Sequence, residues 1–210
     1  LARPFAARRD LSVRALSIGA AVVLVLVVGV TRYWPSIERV EVIGNVHHDR
    51  ERVLRLADVA PGDPFLWVTR FGLRDLERDP WVLHARVTRH WPDLIAIALV
   101  ERVPVLSDGT RSWASDGTLL PGVDADTRST LPRLEGWGTP RLDEALDLLA
   151  MLTDYGVEVI TYTPEGFELV LANAVLVTPS VEALHMQWSA FESQRGGRVA
   201  VYPWGVSSAP

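Results

Sequence analysis

The rhythm of apolar and polar positions changes several times along this chain, and each rhythm predicts a different element. From Ala15 to Thr31 the run ALSIGAAVVLVLVVGVT carries no charge. At ~1.5 Å of rise per residue it makes a helix of about 26 Å, close to the ~30 Å hydrocarbon core of a bilayer. Ile37 to Ile43 (IERVEVI) then alternates apolar and charged residues and closes on Gly44-Asn45, which predicts a strand and a turn. DRERVLRLADV, opened by Asp49 as cap, reads as a short helix, and Pro61-Gly62-Asp63-Pro64 breaks the chain. Leu66, Val68, Phe71, Leu73 and Leu76 recur at helical spacing, predicting a second helix over 65–78. Val82 to Arg89 and Leu94 to Val100 read as strands joined by a Trp91-Pro92-Asp93 turn. The order so far is β-α-α-β-β, with Trp81, Trp91, Val82, Val87 and Leu94 as expected core.

Beyond Arg102 glycines and prolines crowd the chain as far as Pro140, predicting brief strands and loops. Arg141 to Tyr155 is a clear helix, its stripe made by Leu142, Ala145, Leu146, Leu149 and Leu152, with Gly156 as C-cap. Three strands are expected over Val157 to Tyr162, Phe167 to Leu171 and Val175 to Thr178. A second helix follows from Ser180, as N-cap, to Ser193, closed by Gly196-Gly197. Arg198 to Val206 (RVAVYPWGV) reads as one last strand. The fold class expected is α+β: a transmembrane helix, a β-α-α-β-β module, then a mixed β domain with two helices.

Charge orients the apolar run. Arg3, Arg8, Arg9 and Arg14 precede it against Asp10 alone, whereas Arg32 is the only arginine just beyond it until Arg39. The positive-inside rule puts the N-terminus in the cytoplasm and the rest outside, with Tyr33 and Trp34 at the interface. A cleaved signal peptide is the competing reading, but the run exceeds the usual ~7–15-residue apolar region and Gly29-Val30-Thr31 is a poor cleavage site. The expected organisation is a cytoplasmic tail over 1–14, a transmembrane helix over 15–32, one module over 33–103 and a second over 104–210. The first residue is Leu1, which leaves the completeness of the tail open.

With no Cys, the chain has neither disulfides nor thiolate chemistry. From Tyr33 onward 16 arginines face 25 carboxylates, a net charge of −9, which argues against a nucleic-acid partner. His47-His48-Asp49 lacks the further ligands of a metal site and reads as solvated loop with Asp49 capping. His84 and His90 share a strand face but lie too far apart for one ion. Asp124 and Asp126 lack the rest of a calcium loop, and Ser107-Asp108-Gly109 is a turn and not a nucleophile elbow. No catalytic constellation, metal site, cofactor site or small-molecule substrate site is expected. Between Arg198 and Pro210 no residue is charged, and Pro203 suits an edge strand. On pattern alone, Val199, Val201, Tyr202, Trp204 and Val206 either finish a core or meet a partner.

Ile37-x-x-Val40-x-Val42-x-Gly44-Asn45, Gly62-Asp63-Pro64-Phe65-Leu66 and Pro80-Trp81-Val82-x-x-Ala85-x-Val87-x-Arg89-x-Trp91-Pro92 carry a resemblance. Glu101-Arg102-x-Pro104-Val105 and Leu131-Pro132-x-Leu134-x-Gly136 extend it. The first module resembles a POTRA domain, and the whole chain resembles the FtsQ/DivIB family of bitopic bacterial division proteins. Trp113-Ala114-Ser115-Asp116-Gly117 departs from the clearer valine-aspartate-glycine strand that the family often has. The resemblance implies a non-enzymatic divisome scaffold in the inner membrane at the septum, joining early and late division proteins. It also implies FtsB- and FtsL-type partners, the former captured by strand addition at Val199, Val201, Tyr202, Trp204, Gly205 and Val206. The alternative is a membrane-anchored envelope enzyme of the peptidoglycan hydrolase type with a POTRA-like targeting module.

Overall fold

The computed structural model describes residues 7–67, 71–136, 139–194 and 196–209. The chain divides into two compact units, 1–101 and 102–210; the sequence had suggested a boundary after Val103. Ala7–Tyr33 forms helix α1, longer than the expected 15–32, and its described side chains between Leu16 and Val30 are largely exposed and apolar. Among the described residues no helix is long and apolar enough to cross a membrane, so a span over 15–32 stands as a proposal.

In the rest of the first unit, β1 is Arg39–Ile43, α2 Arg50–Ala57, α3 Phe71–Arg78, β2 Val82–His90 and β3 Leu94–Glu101. The sheet order is β1-β3-β2, with β1 parallel and β2 antiparallel to β3. The single helix expected over 65–78 is instead a 3-10 turn at Phe65–Trp67 followed by α3, with 68–70 outside the described residues. Alternation decides the buried face: Val40, Ile95, Ile97 and Leu99 meet Val53, Ala57 and Leu76 of the helices, with Ile37, Val59, Phe65 and Val82 in the same core. Fully burying each of the Val, Leu, Ile and Phe side chains contributes about 1.5–3 kcal/mol.

Three core expectations need correction. Trp91 is 63% exposed because it sits on the β2–β3 turn beyond the end of the sheet. Leu94 is only half-buried, since the period of β3 gives the core to Ile95, Ile97 and Leu99. Val87 packs at the margin of the core. Trp81, at 7% exposed, and Val82 are buried as expected.

The second unit is one nine-stranded sheet. Its strands are β4 Pro104–Ser107, β5 Ser112–Ala114, β6 Leu119–Leu120, β7 Arg133–Gly136, β8 Val157–Thr163, β9 Gly166–Leu171, β10 Ala174–Thr178, β11 Gly197–Tyr202 and β12 Gly205–Ala209. Their spatial order is β12-β11-β10-β9-β8-β7-β4-β5-β6. Among the described residues four α-helices occur where two were expected: α4 Ala125–Thr130, α5 Leu142–Met151, α6 Val181–Met186 and α7 Trp188–Glu192. The Asp124 carboxylate caps α4, accepting from Thr127 N at 2.8 Å, a local capping signal inside a stretch too short and polar to show periodicity. The helix expected over 141–155 ends at Met151 and continues as a 3-10 turn, Thr153–Tyr155, closed by Gly156 in the left-handed region. The expected Ser180–Ser193 helix breaks at Gln187 into α6 and α7, with Ser180 capping as predicted.

Crossover helices make the parallel pairs β7–β8 and β10–β11. One core joins Ala145, Leu146 and Leu148 of α5, Leu184 of α6 and Phe191 of α7 to Leu134, Ile160, Leu169, Leu176, Val199 and Val201 of the sheet.

Candidate partner-binding edge

The last strand expected from the sequence is a hairpin. Tyr202 pairs with Gly205 across the two-residue turn Pro203-Trp204, and the ladder continues through Val201–Val206, Ala200–Ser207, Val199–Ser208 and Arg198–Ala209. β11 is therefore no edge, because β10 pairs along one side and β12 along the other. The sheet ends on this side at β12, its other edge being β6. Pro203 fits this arrangement because it sits in the turn, where no ladder donor is needed.

The residues singled out on this segment separate by position. Val199 and Val201 are buried at 1% and 0% exposure and belong to the core. Val206, opposite Val201, is half-buried at the margin of that core. Tyr202 and Gly205 are half-buried, while Trp204 is 82% exposed. The rings of Tyr202 and Trp204 stack in parallel, 5.1 Å between centroids and 5° between planes. Gln187 Nε2 donates to Pro203 O at 3.0 Å, tying the turn to the α6–α7 break. Ser207, Ser208 and Ala209, which the sequence reading missed as a strand, are exposed. The signal for them lay in Tyr-Pro-Trp-Gly, a turn with strand-compatible residues on both sides.

An edge of this kind offers unpaired backbone N–H and C=O groups and is normally blunted by charge. β12 has none, being Gly-Val-Ser-Ser-Ala. In a ladder closed at the Tyr202–Gly205 pair, alternation turns the backbone groups of Val206 and Ser208 outward. The chemistry available here is the addition of another extended segment, with an aromatic pair at one end.

A second constellation in the first unit is architectural. Glu101, at the end of β3, accepts backbone hydrogen bonds from Val46 (2.8 Å), His47 (2.5 Å) and His48 (3.1 Å). One carboxylate thus gathers three consecutive N–H groups of the β1–α2 loop, an anion nest filled from within the chain. The loop can reach it because Gly44 takes φ +85°, where a Cβ would lie 2.1 Å from Leu99 O. His48, expected in solvent, is instead 5% exposed, with Nε2 3.0 Å from Asp79 Oδ1. Nothing local in the sequence marks that pairing, which spans 31 positions. Asp49 caps α2 as expected, accepting from Arg52 N at 2.6 Å.

His47 stacks on Trp81, 3.5 Å between centroids. Partial burial, and next the neighbouring His48, lower its pKa below the ordinary imidazole value. Burial alone would raise the Asp79 carboxyl, but the Trp81 N–H, the His48 ring and Arg52 outweigh it and hold it below the usual carboxylate value. His84 and His90 are exposed on β2. Among the described residues no three His, Asp or Glu side chains gather as a metal site.

Comparison with known proteins bears on both units. Residues 35–102 match the family model of the POTRA domain, FtsQ-type. Over 147 residues, 62% of this chain and 42% of the relative, the chain is 33% identical to the cell division protein FtsQ of Mycolicibacterium smegmatis. It is 31% identical to that of Zymomonas mobilis over 108 residues, 49% of this chain and 34% of the relative. Identity to that of Syntrophotalea carbinolica is 38% over 71 residues, 33% of this chain and 25% of the relative. The chain spans less than half the length of each of these curated relatives.

Proposed function

We propose that this chain is a cell-division protein of the FtsQ/DivIB type, a non-enzymatic scaffold of the divisome that recruits its main partner along β12; its FtsQ-type POTRA match and its similarity to FtsQ proteins support this. In this reading 1–14 is a cytoplasmic tail and 15–32 a single span of the inner membrane. Both folded units then lie outside the cytoplasm at the division septum. The partners are an FtsB-type segment, an FtsL-type protein and other divisome components.

The observation that carries the proposal is the uncharged, exposed edge β12 beside the stacked Tyr202–Trp204 pair. An extended FtsB-type segment adds a strand through Val206 and Ser208 while its side chains meet Trp204, Tyr202 and the Gly205 backbone. Val199 and Val201 serve this contact from beneath, by anchoring the hairpin in the core. Backbone pairing gives such a site affinity, and the indole gives it a place to start, since Trp and Tyr dominate binding hot spots.

The test is capture of an FtsB-type peptide by the extracytoplasmic part of the chain. Trp204→Ala and Tyr202→Ala each weaken it at least tenfold, equivalent to about 1.4 kcal/mol, while the melting temperature stays put. Ser208→Pro removes an outward N–H without removing a rung of the internal ladder, and has the same effect. Unchanged binding by all three variants places the site elsewhere.

A further inference from the structure

We propose that the first unit rests on the membrane through a built aromatic platform, Trp34, Trp91 and Leu66, which enters the headgroup region of the bilayer around the exit of α1. The inference rests on the reading of 15–32 as a span and adds a second, non-helical contact to it.

Three loops from distant parts of the sequence converge where α1 ends. Trp34 follows α1 directly, its N–H donating to Val30 O at 2.9 Å. Phe65 N donates to Pro35 O at 2.9 Å and Ile37 N to Asp63 O at 2.8 Å, which binds the 62–66 loop to the 34–37 segment. The N–H groups of Glu38 and Arg39 donate to Asp93 O at 3.0 and 3.2 Å, which brings in the β2–β3 turn. These bonds fix which end of the unit faces back along α1, and that end carries the exposed rings of Trp34 and Trp91.

Trp34 is 65% exposed, Trp91 63% and Leu66 44%. The two indoles meet edge to face at 6.2 Å, and Trp91 meets Phe65 in the same manner at 6.0 Å. Phe65 itself is buried in the core. The platform is thus a pair of indoles braced from behind by a core side chain and left bare in front. Scattered single apolar residues on a surface call for no explanation, but a contiguous set does.

The occupant follows from chemistry and continuity. Indole rings prefer the boundary between headgroups and acyl chains, where an apolar body and one N–H donor are both accommodated. The patch follows α1 directly in the chain, and the described side chains of α1 from Leu16 to Val30 are largely exposed and uncharged. The carboxylate next to Trp91, Asp93, is paired with Arg39 at 3.7 Å, so it does not meet the headgroups as a bare negative charge. By contrast the far end of β1 carries Val46, 91% exposed, on a loop gathered by the carboxylate of Glu101.

The chain has no Cys, so a single nitroxide label reports cleanly. Leu66→Cys is labelled in the full chain, reconstituted into vesicles of phosphatidylethanolamine and phosphatidylglycerol at low protein-to-lipid ratio, with Val46→Cys as reference. The expected result is collision with a water-soluble nickel chelate at least fivefold lower at 66 than at 46, with oxygen collision raised at 66. Adding Trp91→Ser to the Leu66→Cys chain brings the two positions within twofold. Failure of the chain to float with the vesicles overturns the span itself and the platform with it. A chain that floats, yet whose label at 66 is as open as that at 46, overturns the platform alone. Protection at 66 that appears only at high protein-to-lipid ratio overturns it in favour of a second copy of the chain.

Discussion

Asp79→Ala should be the most damaging polar truncation in the first unit. The carboxylate side chain is 7% exposed and accepts from His48 Nε2 at 3.0 Å, Trp81 N at 3.0 Å and Arg52 Nη2 at 3.5 Å. Truncation strands the His48 ring, whose side chain is 4% exposed, and takes this acceptor from the Trp81 N–H. Each lost partner of a buried group costs about 1–3 kcal/mol. The Arg52 arm is 53% exposed and adds little. The sum is about 3 kcal/mol, roughly a hundredfold in the opening equilibrium. Hydrogen exchange on peptides covering β1, α2 and β3 of the full chain reads that quantity unit by unit. Asp75→Ala, which removes only an exposed pair with Arg78, is the control and should change exchange less than about fivefold. If Asp79→Ala also stays below about fivefold, the buried pair is not what holds the β1–α2 loop to the start of β2.

The acid limb follows from the same group. Because the folded Asp79 pKa lies below its ordinary 3.8, its stabilisation is present above about pH 4 and is lost as pH falls through the folded value. A wild-type protein and Asp79→Ala should therefore converge in stability on acidification, and parallel curves would refute the assignment. Gly44→Ala combines a left-handed φ with a Cβ 2.1 Å from Leu99 O and should cost at least about 2 kcal/mol; a melting temperature within a degree of wild type would contradict it. Ser180→Ala removes the cap bond to Ala183 N at 3.2 Å, should cost about 1 kcal/mol, and is read by denaturant unfolding of the second unit.

Much of this protein was legible in order and period. The β-α-α-β-β sequence of the first unit, the Asp49 and Ser180 caps, the Gly44 turn and the existence of α5 all depend on residues within a few positions of one another, although the expected stripe of α5 left out Leu148, which is fully buried, and counted Leu142 and Leu149, which are only partly so. Local steric and hydrogen-bonding rules act at that range, so the sequence by itself determined them. Partner choice across the chain was decided only by tertiary structure. Trp81 and Trp91 bracket one strand in similar local contexts, yet one is buried under His47 and the other stands at the mouth of three loops. His48 looks like any loop histidine until folding brings Asp79, 31 positions away, against it. Arg198 to Val206 read as one edge strand because strand periodicity cannot show whether a chain runs on or turns back. The Pro203-Trp204 turn brings β12 alongside β11, moving the edge to residues with no signature of their own. Burial and edge status belong to the assembled sheet, because each is set by what lies alongside in space, and only the closed fold supplies that neighbour.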